Sequence, residues 1–160
     1  MKVRMHYAAF VLFVCTLASC SSEPIDGDTT NITKAENAVE VETELLEIVN
    51  NHRASLNRPA LLFSEVAYEY ANAHNDYMIS KGSLSHDNFS SRASKISSKA
   101  NAEMVAENVA KDYDTAAGAF QGWLKSVHHK NTMEGKFTHT AVSVKKDANG
   151  NYYFTQLFYR

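Results

Sequence analysis

The sequence predicts an α+β fold, and two observations carry that expectation. Apolar residues recur at three- and four-residue spacing through the first half of the chain, and the C-terminal end alternates as a β-hairpin. Helices first and a hairpin last describe mixed, segregated secondary structure rather than repeated βα units. No internal repeat interrupts this order. About 120 residues remain once the N-terminal segments are set aside, enough for one hydrophobic core.

The first element is not part of that core. Residues 2–6 are basic (KVRMH), residues 7–18 (YAAFVLFVCTLA) are apolar and uncharged, and LASC closes the segment at Cys20. A basic start, a short apolar run and small residues before a cleavage point describe a secretory signal peptide. The run is shorter than the roughly 20 residues that a membrane-spanning helix needs. The tetrapeptide LASC resembles the lipobox of bacterial lipoproteins. That resemblance implies cleavage after residue 19, acylation of Cys20 and a membrane partner reached through the lipid. Ser21 after the cysteine leans towards the outer rather than the inner membrane. Several acyl chains would anchor stably, at about 0.8 kcal/mol per buried methylene.

Residues 20–40 follow as a flexible tether. The stretch SSEPIDGDTTNITKAENA is polar and without periodicity, so it has little apolar surface to set against ordering entropy. The domain is expected over residues 41–160. Val41, Leu45, Ile48 and Val49 make a first helical stripe, broken at Asn57-Arg58-Pro59. Ser64 reads as the N-cap of a long second helix. Val66, Ala67, Tyr70, Ala71, Ala73, His74, Tyr77 and Met78 form its stripe, and Gly82 marks its end. Residues 83–101 are rich in Ser, Asn and Lys, with a weak helical middle. Residues 104–110 (MVAENVA) read as a strand or extended segment. Residues 115–126 predict a helix with Ala116, Ala119, Phe120 and Trp123 on one side. Residues 138–145 and 152–159 are the two hairpin strands, rich in β-branched and aromatic residues, around Asp147-Ala148-Asn149-Gly150-Asn151.

Composition excludes several chemistries. Removing residues 1–19 takes away Lys2 and Arg4 and no acid, leaving 14 basic and 18 acidic residues, a net charge of −4. Such a surface gives no electrostatic reason to expect a nucleic-acid partner. Cys15 leaves with the signal and Cys20 is taken by acylation, so disulfides, thiol catalysis and cysteine-ligated zinc are excluded from the mature protein. No H-E-x-x-H, G-x-S-x-G or Gly-rich phosphate loop is present.

Residues 45–59 (LLEIVNNHRASLNRP), Ser85-His86, the AENVA of residues 106–110, and residues 123–131 (WLKSVHHKN) follow one another in that order. Together these four segments resemble the CAP superfamily, which includes cysteine-rich secretory proteins, insect venom antigen 5, plant pathogenesis-related proteins and many bacterial secreted proteins. The hairpin with YFTQLF at residues 153–158 also fits. The resemblance implies a three-layer α-β-α sandwich with a central antiparallel sheet and a cleft where histidines and acids converge. Carried over by position, His86 is the first histidine, Glu107 the acid and His129 the second histidine, with His128 as its rival. The second acid of animal members falls on Ser126 here, and Glu134 is the candidate to replace it in space.

Two neutral imidazoles and a carboxylate are a sensible ligand set for Zn²⁺ or another divalent ion, which makes His86, His129 and Glu107 candidate metal ligands. Glu107 is also the candidate catalytic base on a bound water. His52 and His74 lie within helical patterns and read as packing or surface residues. His139, at a strand start, is a lesser candidate for the cleft. Asn108 is expected to order the loop beside Glu107. The reading that results is a monomeric, lipid-anchored protein of the bacterial cell envelope. It would bind a lipid, a sterol-like molecule or a cell-wall glycan, with or without a divalent metal. A metal-assisted hydrolase of peptide or cell-wall substrates and a surface protein with a vestigial cleft are the alternatives.

Overall fold

The computed structural model describes residues 34–160. The signal segment, Cys20 and most of the tether lie outside the described residues. The described chain runs α1 (Val39–Ser55), β1 (Leu62–Phe63), α2 (Glu65–Lys81), α3 (Phe89–Ala100), β2 (Val105–Lys111), α4 (Ala116–Lys125), α5 (Val127–Met133), β3 (His139–Lys146) and β4 (Tyr152–Tyr159). Among these helices none is long and apolar enough to cross a membrane.

Local chemistry sets the boundaries. Asn57 takes a left-handed conformation (φ 56°) just past the end of α1, where an Asn tolerates positive φ better than a branched residue. Ser64 is extended and accepts a hydrogen bond from the Ala67 amide, satisfying one orphan donor at the start of α2. Gly82 (φ 66°) ends α2 in the left-handed conformation that favours glycine. Thr115 and Ser126 cap α4 and α5 in the same way as Ser64. In the hairpin turn, Asp147 Oδ1 accepts from the amides of Asn149 and Asn151.

The sheet order is β1-β3-β4-β2. The three long strands are antiparallel, and two-residue β1 adds to β3 in parallel. Side chains alternate across the sheet, so each face meets its own helices. On one face Leu45 and Val49 of α1, and Ala116, Ala119, Phe120 and Trp123 of α4, pack on Val142, Val144, Phe154 and Phe158. On the other, Ala67 and Ala71 of α2 and Ile96 of α3 pack on Ala141 and Leu157. This is the expected three-layer arrangement.

The buried face of α2 differs from the apolar stripe read in the sequence. Ala73 is exposed, whereas Asn75 and Asp76 are buried. Asn75 Nδ2 donates to Ser143 O and Oγ, and its Oδ1 accepts from Thr155 Oγ1. Asp76 pairs through both oxygens with Lys145 Nζ at 2.9 Å. Strand positions that face α2 carry hydroxyls and a lysine, and these satisfy the helix's polar side chains. Residues at the end of the tether dock beside this pair. The Ala35 amide donates to Asp76 Oδ1, and Ala38 N donates to Val144 O on the β3 edge.

Candidate functional site

β2 lies at one edge of the sheet, and two consecutive residues on it face opposite layers. Glu107 points towards α2 and α3, Asn108 towards α4 and α5. Glu107 is the floor of the site, its side chain only 1% exposed. A bare carboxylate there would be costly, and Arg92 removes the cost. Phe89, Arg92 and Ile96 stand three and four residues apart, which puts Arg92 on the inner stripe of α3. Its Nε donates to Oε2 and its Nη2 to Oε1 of Glu107, each at 2.9 Å. The remaining nitrogen, Nη1, donates to Asp87 O.

His86 comes from the loop ahead of α3. Its Nδ1 lies 2.9 Å from Glu107 Oε1, and its side chain is 52% exposed. Against an ionised carboxylate Nδ1 must carry the proton, so Nε2 is the ring nitrogen not engaged by Glu107. Burial pushes the Glu107 carboxyl up, but the hydrogen bond from His86 and the charge and hydrogen bonds of Arg92 outweigh it and hold the group below the ordinary carboxylate value.

His74, from α2, is a third histidine in this cluster that sequence reasoning assigned to packing or the surface. It is buried, donates Nε2–H to Ser85 O at 2.8 Å and lies 3.8 Å from Glu107 Oε1. Burial drives its pKa down more than Glu107 drives it up, so the ring is neutral. By holding the Ser85 carbonyl it fixes the residue before His86.

His129 arrives from the other layer. Ser126 caps α5, and its hydroxyl accepts from the His129 amide. Asn108 Nδ2 donates to His129 O at 3.0 Å, so the strand that presents Glu107 also holds the backbone of His129. The His86 and His129 ring centroids are 6.4 Å apart, inclined at 42°. Burial first, then the neighbouring His86 and His128, lower the His129 pKa, which favours its neutral ring.

The structure thus brings His86, Glu107 and His129 together, with His74 and Arg92 behind them. His128 is exposed and lines a shallow groove with Met104, Asn131 and Lys136. His139 stacks on Tyr159, centroids 4.9 Å apart. Glu134 does not replace the missing acid: its Oε1 lies 2.9 Å from His52 Nε2, on the α1 side. Ser126, where that acid falls in animal members, is occupied in capping α5.

Among the described residues no three His, Cys, Asp or Glu side chains converge as a metal-ligand set. Arg92 also engages both oxygens of Glu107, so the carboxylate is not free to ligate. The donors that remain are two imidazoles, fewer than the three or four protein ligands of a zinc site. Their chemistry fits a two-nitrogen contact, with Glu107 orienting His86 from behind as carboxylates orient metal-bound histidines.

The sequence model of the cysteine-rich secretory protein family, CAP, matches residues 46–158. Solved structures share the fold, among them the following three. An outer surface protein from Borrelia burgdorferi superposes with a TM-score of 0.71 at 16% identity, covering 79% of this chain and 98% of that one. An extracellular protein containing an SCP domain from Bacillus anthracis gives 0.66 at 24%, covering 76% and 41%. A cysteine-rich secretory protein from Staphylococcus aureus gives 0.61 at 17%, covering 76% and 39%. This chain therefore spans about two fifths of the last two. No curated protein sequence matches it.

Proposed function

The chain belongs to the cysteine-rich secretory protein (CAP) family, and from that premise we propose that it is a lipid-anchored binding protein of the bacterial cell envelope. Its anchor is acylated Cys20, and its recognition element is the His86/His129 pair. The observation that carries this reading is the state of Glu107. Both its oxygens are engaged, by Arg92 and by His86. What the cleft offers a visitor is imidazole nitrogen, not carboxylate.

Imidazole nitrogens exchange hydrogen bonds with hydroxyl groups, which suits a cell-wall glycan or the hydroxyl head of a lipid or sterol-like molecule. The same nitrogens can contact a divalent cation such as Zn²⁺, which would polarise a bound oxygen. A hydrolytic role for Glu107 needs a carboxylate free to take a proton. A group held ionised by a bidentate guanidinium is a weak base for that task. The surface character of the Borrelia and Bacillus proteins supports the location.

The test is binding of soluble cell-wall glycan fragments and of lipid vesicles, measured on the Cys20→Ser chain and on the same chain carrying His86→Ala and His129→Ala. Affinity lost in the double variant is the expected result. Equal affinity in both would turn the reading towards a surface protein with a vestigial cleft.

A further inference from the structure

Two buried carbonyl oxygens stand on neighbouring strands without a hydrogen-bond donor. Asn108 of β2 and Gln156 of β4 are directly opposite in the antiparallel register. Both are fully buried, at 0% exposure. Among the described residues, Asn108 Oδ1 and Gln156 Oε1 accept no hydrogen bond from protein. Opposed residues of an antiparallel pair put their side chains on the same face, with Cβ atoms about 4.5–5.5 Å apart.

Neither amide is free to turn over. Asn108 Nδ2 donates to His129 O at 3.0 Å, and a flip would set oxygen against oxygen. Thr140 Oγ1 donates to Leu157 O at 2.7 Å, so it can only accept from Gln156 Nε2, at 3.2 Å. That fixes the Gln156 amide and leaves Oε1 as the end directed away from the hydroxyl. A buried polar group without a partner is rare in folded proteins.

We propose that Asn108 Oδ1 and Gln156 Oε1 form a binding site for one internal water molecule that donates a hydrogen bond to each. Water matches the demand: two donors are needed, and it carries two. A monovalent or divalent cation would need more oxygens than these two amides supply. The bridge completes a polar line from Thr140 through Gln156, the water and Asn108 to the carbonyl of His129. It runs from the central strands to α5, and it keeps Asn108 oriented to hold that helix. The water makes no demand on what the cleft binds, so this inference stands or falls separately from the proposed function.

A crystal structure of the full chain at a resolution that shows ordered solvent tests it. The expected result is one oxygen peak within about 2.7–3.2 Å of both amide oxygens. Three results overturn it: a protein donor reaching either oxygen, a cation ringed by five or more oxygens, or empty space between the two. Gln156→Leu removes one acceptor and should remove the peak. Where that variant fails to fold, long-lived water contacts to the Asn108 and Gln156 side-chain amides, sought by NMR on the unaltered chain, decide the matter. Their absence counts against the site.

Discussion

Arg92 holds Glu107 side-on, Nε to Oε2 and Nη2 to Oε1, each at 2.9 Å, in the buried layer between α3 and β2. This pairing determines what the histidine cluster can offer. It turns the one acid of the site into a fixed anion that orients His86, and it accounts for the exposed group being an imidazole.

Arg92→Met should therefore be strongly destabilising, by about 3–5 kcal/mol, because it strands a buried carboxylate. Arg92→Lys should recover only part of the loss, since an ammonium cannot supply the parallel pair of bonds. Urea denaturation measures both. A loss under 1 kcal/mol for Arg92→Met would show that Glu107 is stabilised by other means.

Stability should fall on acidification from neutral pH, beginning near the ordinary histidine pKa of 6.5. Burial depresses the folded pKa of His74 and of His129 below the unfolded value. The unfolded chain then binds more protons as pH falls, and stability declines with it. Glu107, whose folded pKa is also lowered, adds a further loss below the carboxylate range. Thermal melting of the wild type and of His74→Gln across this range checks the assignment. The variant should show a shallower slope above the carboxylate range, and an unchanged slope would place the titration elsewhere.

How much of this was legible in the sequence depended on whether a residue's role was local. Helix ends at Ser64, Gly82 and Thr115 and both hairpin strands were readable, because caps, turns and alternation are short-range signals. Arg92 was not, although Phe89, Arg92 and Ile96 share a helical stripe, and a lone arginine on such a stripe marks a buried cation. Its partner lies 15 residues away in another layer. His74 looked like packing because helical spacing reports burial and says nothing of what lies opposite. The seven residues of α5 (VHHKNTM) bury only Met133, so they carry no apolar periodicity to find. The Asp76–Lys145 pair was hidden for the same reason as Arg92.

That pair gives another expectation. Both side chains are nearly buried, at 8% and 4% exposure. Lys145→Met should cost about 3–5 kcal/mol, while the double change Asp76→Leu with Lys145→Met should cost much less than the sum of the singles. A double-mutant cycle by chemical denaturation reads the difference, and simple additivity would argue against coupling.

Ser126 stands where an acid falls in animal members, yet here it caps α5. Ser126→Ala should cost about 1 kcal/mol and loosen the helix that carries His129, whereas Ser126→Asp should retain stability because aspartate caps as well as serine. Hydrogen exchange of the His129 and Lys130 amides distinguishes the two. Equal protection in both variants would mean that Asn108 alone holds the helix.

The central claim is that His86 and His129 present their ring nitrogens to one visitor. Calorimetric titration of Zn²⁺ into the Cys20→Ser chain, beside the same chain with His86→Ala and His129→Ala, tests it most directly, because the ion reports whether two imidazoles can meet. The account predicts weak binding, as a site of only two imidazole donors allows, that disappears in the double variant. No binding by the folded parent chain, or undiminished binding by the folded variant, would contradict it.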